Sequence, residues 1–333
     1  VMSARLRSSR TIEKSRVCSV RFIGFFIVFR EKYVNHFITK EKMELAYSFP
    51  ALAAIGYAIG VVCSKHALAA GFGVLRLALL INLAFVPVFG LLLMAPAEVS
   101  SEGQWYAPVL AGVAFFVGQV LTFAAIRVGD VSLQTPVMGA KAVFVVILAV
   151  LLGTELITAN LVFAAVASTC AVALLGFAGG KSHHVALTIC LSLLSAFFFA
   201  CSDIMVAAWG KAFGSGRFLF LMIVVNALLS FALIPFFRGG MRSIPLKAWR
   251  WAVPAAVLMA LQALFMNYGL SAYQNVASAN VIYSTRGLWS VLLGALPLVL
   301  FGQGAEELSN SVRKMRFAGA LLMCVAIGVL FLN

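Results

Sequence analysis

Residues 131–155 decide the fold class, and they read VSLQTPVMGAKAVFVVILAVLLGTE. Eleven consecutive apolar residues follow Lys141. The whole segment is long enough to cross the hydrocarbon core of a bilayer, which is about 30 Å thick. Its apolar and polar residues do not alternate as they would in a half-exposed strand. The segment therefore predicts a transmembrane helix with a basic residue near its middle.

The rest of the chain has the same character. Of its 333 residues, 63% are hydrophobic and 11% are charged, and the mean hydropathy is +1.03. A soluble domain is about half apolar and about a quarter charged, so these values predict an all-α integral membrane protein. Ten windows qualify as spans, namely 46–66, 74–95, 105–126, 131–153, 157–179, 185–208, 217–237, 249–272, 277–301 and 316–333.

The formal net charge of +14 does not indicate a nucleic-acid-binding protein. Half of it, +7, belongs to residues 1–42, where the one apolar run is too short to cross a bilayer. The other half is spread over a long apolar chain, as in ordinary membrane proteins. We interpret 1–42 as a disordered or non-native extension, with Met43 as the natural start. The alternative is a basic cytoplasmic tail that lies on anionic lipid.

The ten spans divide into two halves of five, residues 43–180 and 181–333. One alignment register places Lys141 of the first half opposite Arg286 of the second. Because five is odd, the second half must enter the membrane upside down, which predicts the inverted-repeat architecture of secondary transporters. Other matched pairs are Cys63 with Cys201, Asn82 with Asn226, and Val131 with Val276.

Two segments of the first half carry a resemblance to a known family. They are residues 121–136, LTFAAIRVGDVSLQTP, and residues 149–155, AVLLGTE. With the five-plus-five organisation, they resemble the EamA-type permeases of the drug/metabolite transporter superfamily. The second half has a similar segment from 267 to 302, but it continues as GQGAEELSNSVRK over 302–314 instead of ending in a tight turn. The resemblance covers 45–333 and implies a ten-helix secondary carrier.

The same resemblance implies a structural role for the turn after span 4. Gly153 would form the turn, and the Glu155 carboxylate would cap the first backbone N–H groups of span 5. A negative charge is favoured there by the helix dipole. We expect these two residues to shape the fold rather than to bind substrate.

Lys141 and Arg286 are the strongest functional candidates. Each lies about ten residues inside its span, about 15 Å from either surface, where a basic side chain cannot reach water. A basic group at this depth costs at least about 2.5–3.5 kcal/mol to insert. Beyond Met43, Asp203 is the one acidic residue inside a predicted span. We expect Asp203 and its repeat partner Lys65 to be interface anchors that face opposite sides and do not pair.

Three hypotheses account for the two buried cations. In the preferred one, a wet cavity receives an anionic or carboxylate-bearing substrate, which Lys141 and Arg286 contact. In the second, backbone and polar side chains satisfy both cations, and neither has a ligand role. In the third, Lys141 loses its proton and couples transport to a proton gradient.

Polar and aromatic side chains on the same helices favour the cavity. In span 9 such residues recur every three positions, which gives that helix one face unsuited to lipid. Singly, each amide is explained as well by a hydrogen bond between helices, and Gln262 of span 8 is a further candidate. The predicted substrate-binding residues are Lys141, Arg286, Gln134, Asn280, Tyr283, Trp289, Gln119 and Asn267.

Motifs of other chemistries are missing from the sequence. It contains no Walker loop, no H-E-x-x-H motif and no C-x-x-C pair, and His183-His184 has no third ligand nearby in sequence. We therefore expect no cofactor, no bound metal, no catalytic residues and no enzymatic activity.

These observations predict a secondary active transporter that imports or exports a small metabolite, anionic or amino-acid-like, by alternating access. We expect it in the plasma (inner) membrane, as a monomer or homodimer, with proton coupling as an option and no nucleic-acid partner. One alternative is a lipid-handling protein or enzyme that uses the cationic cavity for a phospholipid head group. Another is a membrane-interaction protein with dry packing around spans 4 and 9.

The orientation of the chain has two competing predictions. Basic residues concentrate in the links after odd-numbered spans, which places both termini outside the cytoplasm. The family resemblance implies both termini inside, and we prefer that orientation. A C-terminal alkaline phosphatase fusion distinguishes them, because activity would place the C-terminus outside.

Overall fold

The computed structural model describes residues 40–94, 104–128, 134, 137–153, 155–175, 184–237, 239–295 and 310–331. Within these ranges the chain is almost entirely helical and contains no strand, which confirms the all-α prediction for this part of the protein. Its α-helices are α1 (Lys40–Ala69), α2 (Val74–Gly90), α3 (Tyr106–Val128), α4 (Lys141–Leu152), α5 (Ala159–Leu175), α6 (Val185–Phe213), α7 (Ser215–Ser230), α8 (Leu246–Tyr273), α9 (Val276–Tyr283), α10 (Arg286–Ala295) and α11 (Asn310–Leu330).

Several helices are long and apolar enough to cross a membrane, as a multi-pass membrane protein requires. Shorter apolar helices of 12 and 17 residues, α4 and α5, accompany them. Residues 1–39 of the predicted extension and residues 302–309 of the divergent turn lie outside the described part of the chain. The six candidate spans are Glu44–Ala69, Val74–Met94, Tyr106–Ala125, Val185–Phe213, Ser215–Phe236 and Leu246–Tyr273.

Small residues allow the largest helix contact, between α1 and α8. A methyl group added at Gly56 of α1 would come within 3.3 Å of the Gln262 Cβ atom of α8. One added at Gly269 of α8 would come within 2.9 Å of the Phe49 Cβ atom of α1. Helices that lack side chains at such points can approach closely, and this is the usual basis of helix packing in membranes.

The helix contacts occur in matched sets. The second largest contact is between α3 and α6. If α1 is aligned with α6 and α3 with α8, as the sequence alignment of the two halves predicts, the α1–α8 contact corresponds to the α6–α3 contact. The contacts of α2 with α8 and of α3 with α7 match in the same way, and α5 packs on α11.

Two of the predicted spans are interrupted. The sequence predicts continuous helices over 131–153 and 277–301, but residues 139–140 and 284–285 form turns, and α4 and α10 begin immediately after them. At the second break the Thr285 N–H donates to the Ile282 carbonyl at 3.0 Å, a bond that spans three residues instead of the four of an α-helix. At the first, the Thr169 hydroxyl of α5 donates to the Gly139 carbonyl at 3.1 Å.

These breaks correct the prediction of uninterrupted spans, and their positions correspond. In the register that aligns Lys141 with Arg286, residues 139–140 align with 284–285. Each basic residue is therefore the first residue of a helix that starts inside the predicted span. At these sites the hydroxyl groups of Thr169, Ser284 and Thr285 donate to backbone carbonyl groups. Such bonds allow a helix to be interrupted at membrane depth.

Candidate functional site: a buried cluster of three charges

Lys141 makes an ion pair that the sequence analysis did not expect. Its ammonium nitrogen lies 2.6 Å from the Asp203 Oδ2 atom of α6, and the side chains are 11% and 6% exposed. The Asn280 amide of α9 donates to the same oxygen at 2.8 Å. The expectation that Asp203 is an end-of-span anchor is therefore wrong, because α6 carries residue 203 alongside α4 and α9. Lys65 is exposed, and it does not share the site.

Arg286 has a different environment, made of aromatic rings. Its guanidinium carbon lies 4.9 Å from the ring centre of Tyr57 in α1 and 4.5 Å from that of Tyr283 in α9. The Tyr283 hydroxyl donates to the Gln262 Oε1 atom of α8 at 2.8 Å. Among the described residues Arg286 forms no ion pair. Cation–π contacts hold the group without cancelling its charge.

The two cations share one ring. The Lys141 ammonium nitrogen lies 5.9 Å from the ring centre of Tyr283, and also 5.9 Å from that of Phe199 in α6. Tyr283 therefore contacts both cations. The three charges form one cluster, to which α4, α6 and α10 contribute, and we call it the charge cluster: Lys141, Asp203 and Arg286.

Other predicted binding residues fall into two groups. Asn280 and Tyr283 contact the charge cluster, as described above. Gln134 is buried, but its neighbours on both sides lie outside the described residues. Trp289 is exposed on α10. Nine residues make about two and a half helical turns, so a three-residue stripe that starts at Asn280 has drifted to the other side by Trp289.

The remaining two amides have partners elsewhere. Gln119 of α3 and Asn82 of α2 donate to each other's carbonyl oxygens, at 3.0 and 2.8 Å, and Asn82 also donates to the Ser230 hydroxyl of α7. Asn267 donates to the Ala263 carbonyl of its own helix at 2.8 Å. Gln119 therefore joins helices by hydrogen bonds, the alternative already considered for single amides, whereas the Asn267 bond stays within α8.

Three residues of the site were missed or underweighted. Tyr57 and Phe199 are single aromatic residues in apolar spans, a context that gave no signal of a cation nearby. Asp203 gave a signal, since an acid inside a span usually has a partner, but the choice of partner needed the crossing of α4 and α6.

Glu155 lies in the connection between α4 and α5 and bonds to a distant helix. Its Oε2 atom accepts the Ala277 N–H at 2.8 Å, and its Oε1 atom accepts the Ser278 hydroxyl at 3.4 Å. Both donors belong to the first turn of α9. The expected cap of span 5 is therefore wrong: the Thr158 hydroxyl takes that place and accepts the Leu161 N–H at 3.2 Å.

The turn itself explains why Glu155 points away. Gly153 ends α4 in the left-handed region, with φ of 61°, and its N–H bonds to the carbonyls of Ala149 and Val150. This conformation suits glycine and redirects the chain toward α9. Burial raises the pKa of Glu155 to about 7, although the bonds from Ala277 and Ser278 partly oppose the shift.

A cavity of about 130 Å³ adjoins the Glu155 carboxyl group. Tyr47 of α1, Thr158 just before α5 and Ser278 of α9 are its other polar lining residues. Its opening is apolar, because Leu156 and Phe331 are both largely exposed. Among the described residues, no group of three His, Cys, Asp or Glu side chains could hold a metal ion.

Comparisons with known proteins identify the fold and no family. No protein-family model and no curated protein matches the chain. A solved protein described only as "Crystal structure of protein" is similar to it, with a TM-score of 0.66 and 17% sequence identity. The similarity covers 86% of this chain and 96% of that one. It shows a shared fold over most of the length of both chains.

Proposed function

We propose that the protein is a secondary active transporter of a small monoanionic metabolite, and that Arg286 binds the negative group. The observation that best supports this proposal is the charge balance of the charge cluster. Lys141 is neutralised by Asp203 at 2.6 Å, whereas Arg286 forms no ion pair among the described residues. One net positive charge is left in a low-dielectric site, where it attracts one negative charge strongly.

The broken helices support an anion site. Lys141 and Arg286 each begin a helix, α4 and α10. The N-terminus of a helix carries a partial positive charge, and transporters place such half-helix ends at anionic groups of their substrates. A basic side chain at each end adds to this potential.

The matched helix contacts support an inverted-repeat carrier with ten spans. Exchange of α1–α5 with their counterparts maps the α1–α8 contact onto α6–α3 and the α2–α8 contact onto α7–α3. In such an architecture the substrate site lies at the interface of the halves, near the middle of the membrane. The charge cluster takes residues from both halves. A plasma-membrane location and membership of the EamA-type permeases belong to the same proposal.

Uptake into proteoliposomes tests the proposal. Purified protein is reconstituted and supplied with radiolabelled lactate or benzoate as monoanions and malate as a dianion. We expect saturable uptake of at least one monoanion, lost in Arg286→Gln and retained in Arg217→Gln, a matched change at an exposed arginine of α7. Equal uptake by both variants would remove Arg286 from the site. Saturable uptake of malate alone would contradict the monoanion assignment.

A further inference from the structure

Helix α9 joins two sites that the proposed function does not yet connect. Its first turn is held by Glu155 through Ala277 and Ser278. Its remaining turn carries Asn280, which bonds to Asp203, and Tyr283, which contacts both cations. All eight residues of α9 are buried, so the helix cannot shift at one end without disturbing its contacts at the other.

We propose that Glu155 is a protonation site that controls α9: the protonated carboxyl group holds the first turn of the helix, and loss of the proton to water releases it. This inference rests on the proposed transport function in one respect, since it makes the proton the coupling ion. The proton leaves the carboxyl group for water in the adjoining cavity, and no other reactant takes part.

Desolvation makes the neutral form fit best, although the Ala277 N–H and the Ser278 hydroxyl, which both donate to the carboxyl group, favour the carboxylate. A protonated carboxyl group keeps a carbonyl oxygen to accept the Ala277 N–H, and its O–H can donate to the Ser278 hydroxyl after that hydroxyl turns from donor to acceptor. The carboxylate must instead be held only partly exposed, next to Leu161 and Leu330. Removing a charge from water without a cationic partner is costly. Among the described residues, no basic side chain lines this cavity.

Few titratable groups face Glu155 from the elements around it. Of the residues that line the cavity, Tyr47 of α1 is the one other titratable group. Thr158, just before α5, and Leu161 of α5 line it, with Ser278 of α9, Leu330 of α11 and Phe331 just after α11. The other end of α9 faces Lys141, Asp203 and Arg286, so a pH response near neutrality is assigned to Glu155 where Glu155→Gln removes it.

The direction of the effect follows from linkage. The pKa of Glu155 is about 7 in the closed contact, above the ordinary value of 4.5 that a solvated carboxyl group has. The closed contact therefore binds the proton more tightly than an open, hydrated state does. Acidic pH favours the closed contact, and the preference is lost as the pH rises through about 7.

Hydrogen–deuterium exchange tests this without any substrate. The full chain in lipid nanodiscs is labelled at pH 5.5 and pH 8.5, and exchange of residues 276–285 is corrected for the intrinsic rate at each pH. We expect at least about tenfold faster corrected exchange at pH 8.5 in the wild type. Glu155→Gln, a neutral mimic that can still accept and donate, should stay protected at both values. Glu155→Ala should exchange fast at both.

Glu44→Gln is the matched control, since Glu44 is an exposed carboxylate of α1, and it should behave as the wild type does. Equal corrected exchange at the two pH values in the wild type would overturn the proposal, and so would a pH response that survives in Glu155→Gln. If Arg286→Gln transports normally but the exchange pattern is as expected, the transport site is wrong and the protonation site stands. If exchange behaves as expected but uptake does not depend on pH, only the coupling is wrong.

Discussion

Lys141 and Arg286 occupy corresponding positions, but the protein stabilises them in different ways. Lys141 has a carboxylate at 2.6 Å, whereas Arg286 has two tyrosine rings with centres at 4.9 and 4.5 Å. An ion pair cancels charge, but aromatic rings only lower the cost of keeping it. Under the proposed function, the comparison gives the two cations different roles. Lys141 with Asp203 would serve the structure, and Arg286 would keep its charge available for the substrate.

The largest expected effect is a loss of thermal stability when Asp203, the acid that pairs with Lys141 but not with Arg286, is removed. Asp203→Asn leaves Lys141 as an unpaired buried cation, which typically costs about 3–5 kcal/mol. We expect a large fall in the midpoint of thermal unfolding in detergent.

The double variant Lys141→Met with Asp203→Asn is the control, since it removes both charges together. It should recover most of the lost stability, because replacing a whole buried pair by apolar groups is often nearly neutral. A double variant that is as unstable as Asp203→Asn would show that Asp203 serves the fold through Asn280 rather than through Lys141.

Exchanging the two basic residue types gives the next largest effect. Arg286→Lys removes the planar, multi-donor group that binds carboxylates in bidentate fashion and stacks on aromatic rings. We expect monoanion affinity to weaken by about tenfold, which equals about 1.4 kcal/mol. Lys141→Arg should weaken monoanion affinity less. Inhibition of radiolabelled benzoate uptake by unlabelled benzoate measures the affinity of both variants. Equal losses would mean that both cations contact the substrate.

Removal of one ring from Arg286 should have a smaller effect. Tyr57→Leu keeps apolar volume but deletes a cation–π contact worth about 0.5–2 kcal/mol. The variant should weaken monoanion binding and leave the Lys141–Asp203 pair unaffected. The matched change Phe199→Leu beside Lys141 should leave binding nearly unchanged, because the ion pair dominates there. The reverse ranking would contradict the division between the two cations.

The smallest effect is expected for Tyr283→Phe. This change keeps the ring that both cations contact and removes the hydroxyl that donates to Gln262 at 2.8 Å. A typical hydrogen bond contributes about 0.5–1.5 kcal/mol, so thermal stability should fall slightly and affinity should fall less. Loss of uptake in Tyr283→Phe would indicate that the hydroxyl itself contacts the substrate.

The sequence predicted the helical class and the two buried cations, because hydropathy and depth are local properties of a segment. It did not predict the partner of Lys141, since the Asp203 contact depends on how α6 crosses α4. The breaks at 139–140 and 284–285 also escaped it. Apolar stretches flank both sites. The local signals are Gly139 at the first and Ser284 and Thr285 at the second, and the effect of such residues depends on the neighbouring helices.

Trp289 and Glu155 show two limits of predictions made along the sequence. The stripe from Asn280 to Trp289 spans nine residues, which make about two and a half helical turns, so its last member falls away from the face of its first. Glu155 was assigned to the nearest helix in sequence, where Thr158 was already able to cap. The competing donors at Ala277 and Ser278 are more than 120 residues away in sequence, beyond any local pattern.

The length of α9 has a kinetic consequence. Eight helical residues rise about 12 Å, and a helix this short bends very little, so its two ends behave as parts of one rigid rod. Reporters placed beside Ala277 and Tyr283, near the two ends of α9, should then relax with a single shared time constant after a pH jump. Two distinct rates at these positions would mean that α9 does not move as one body.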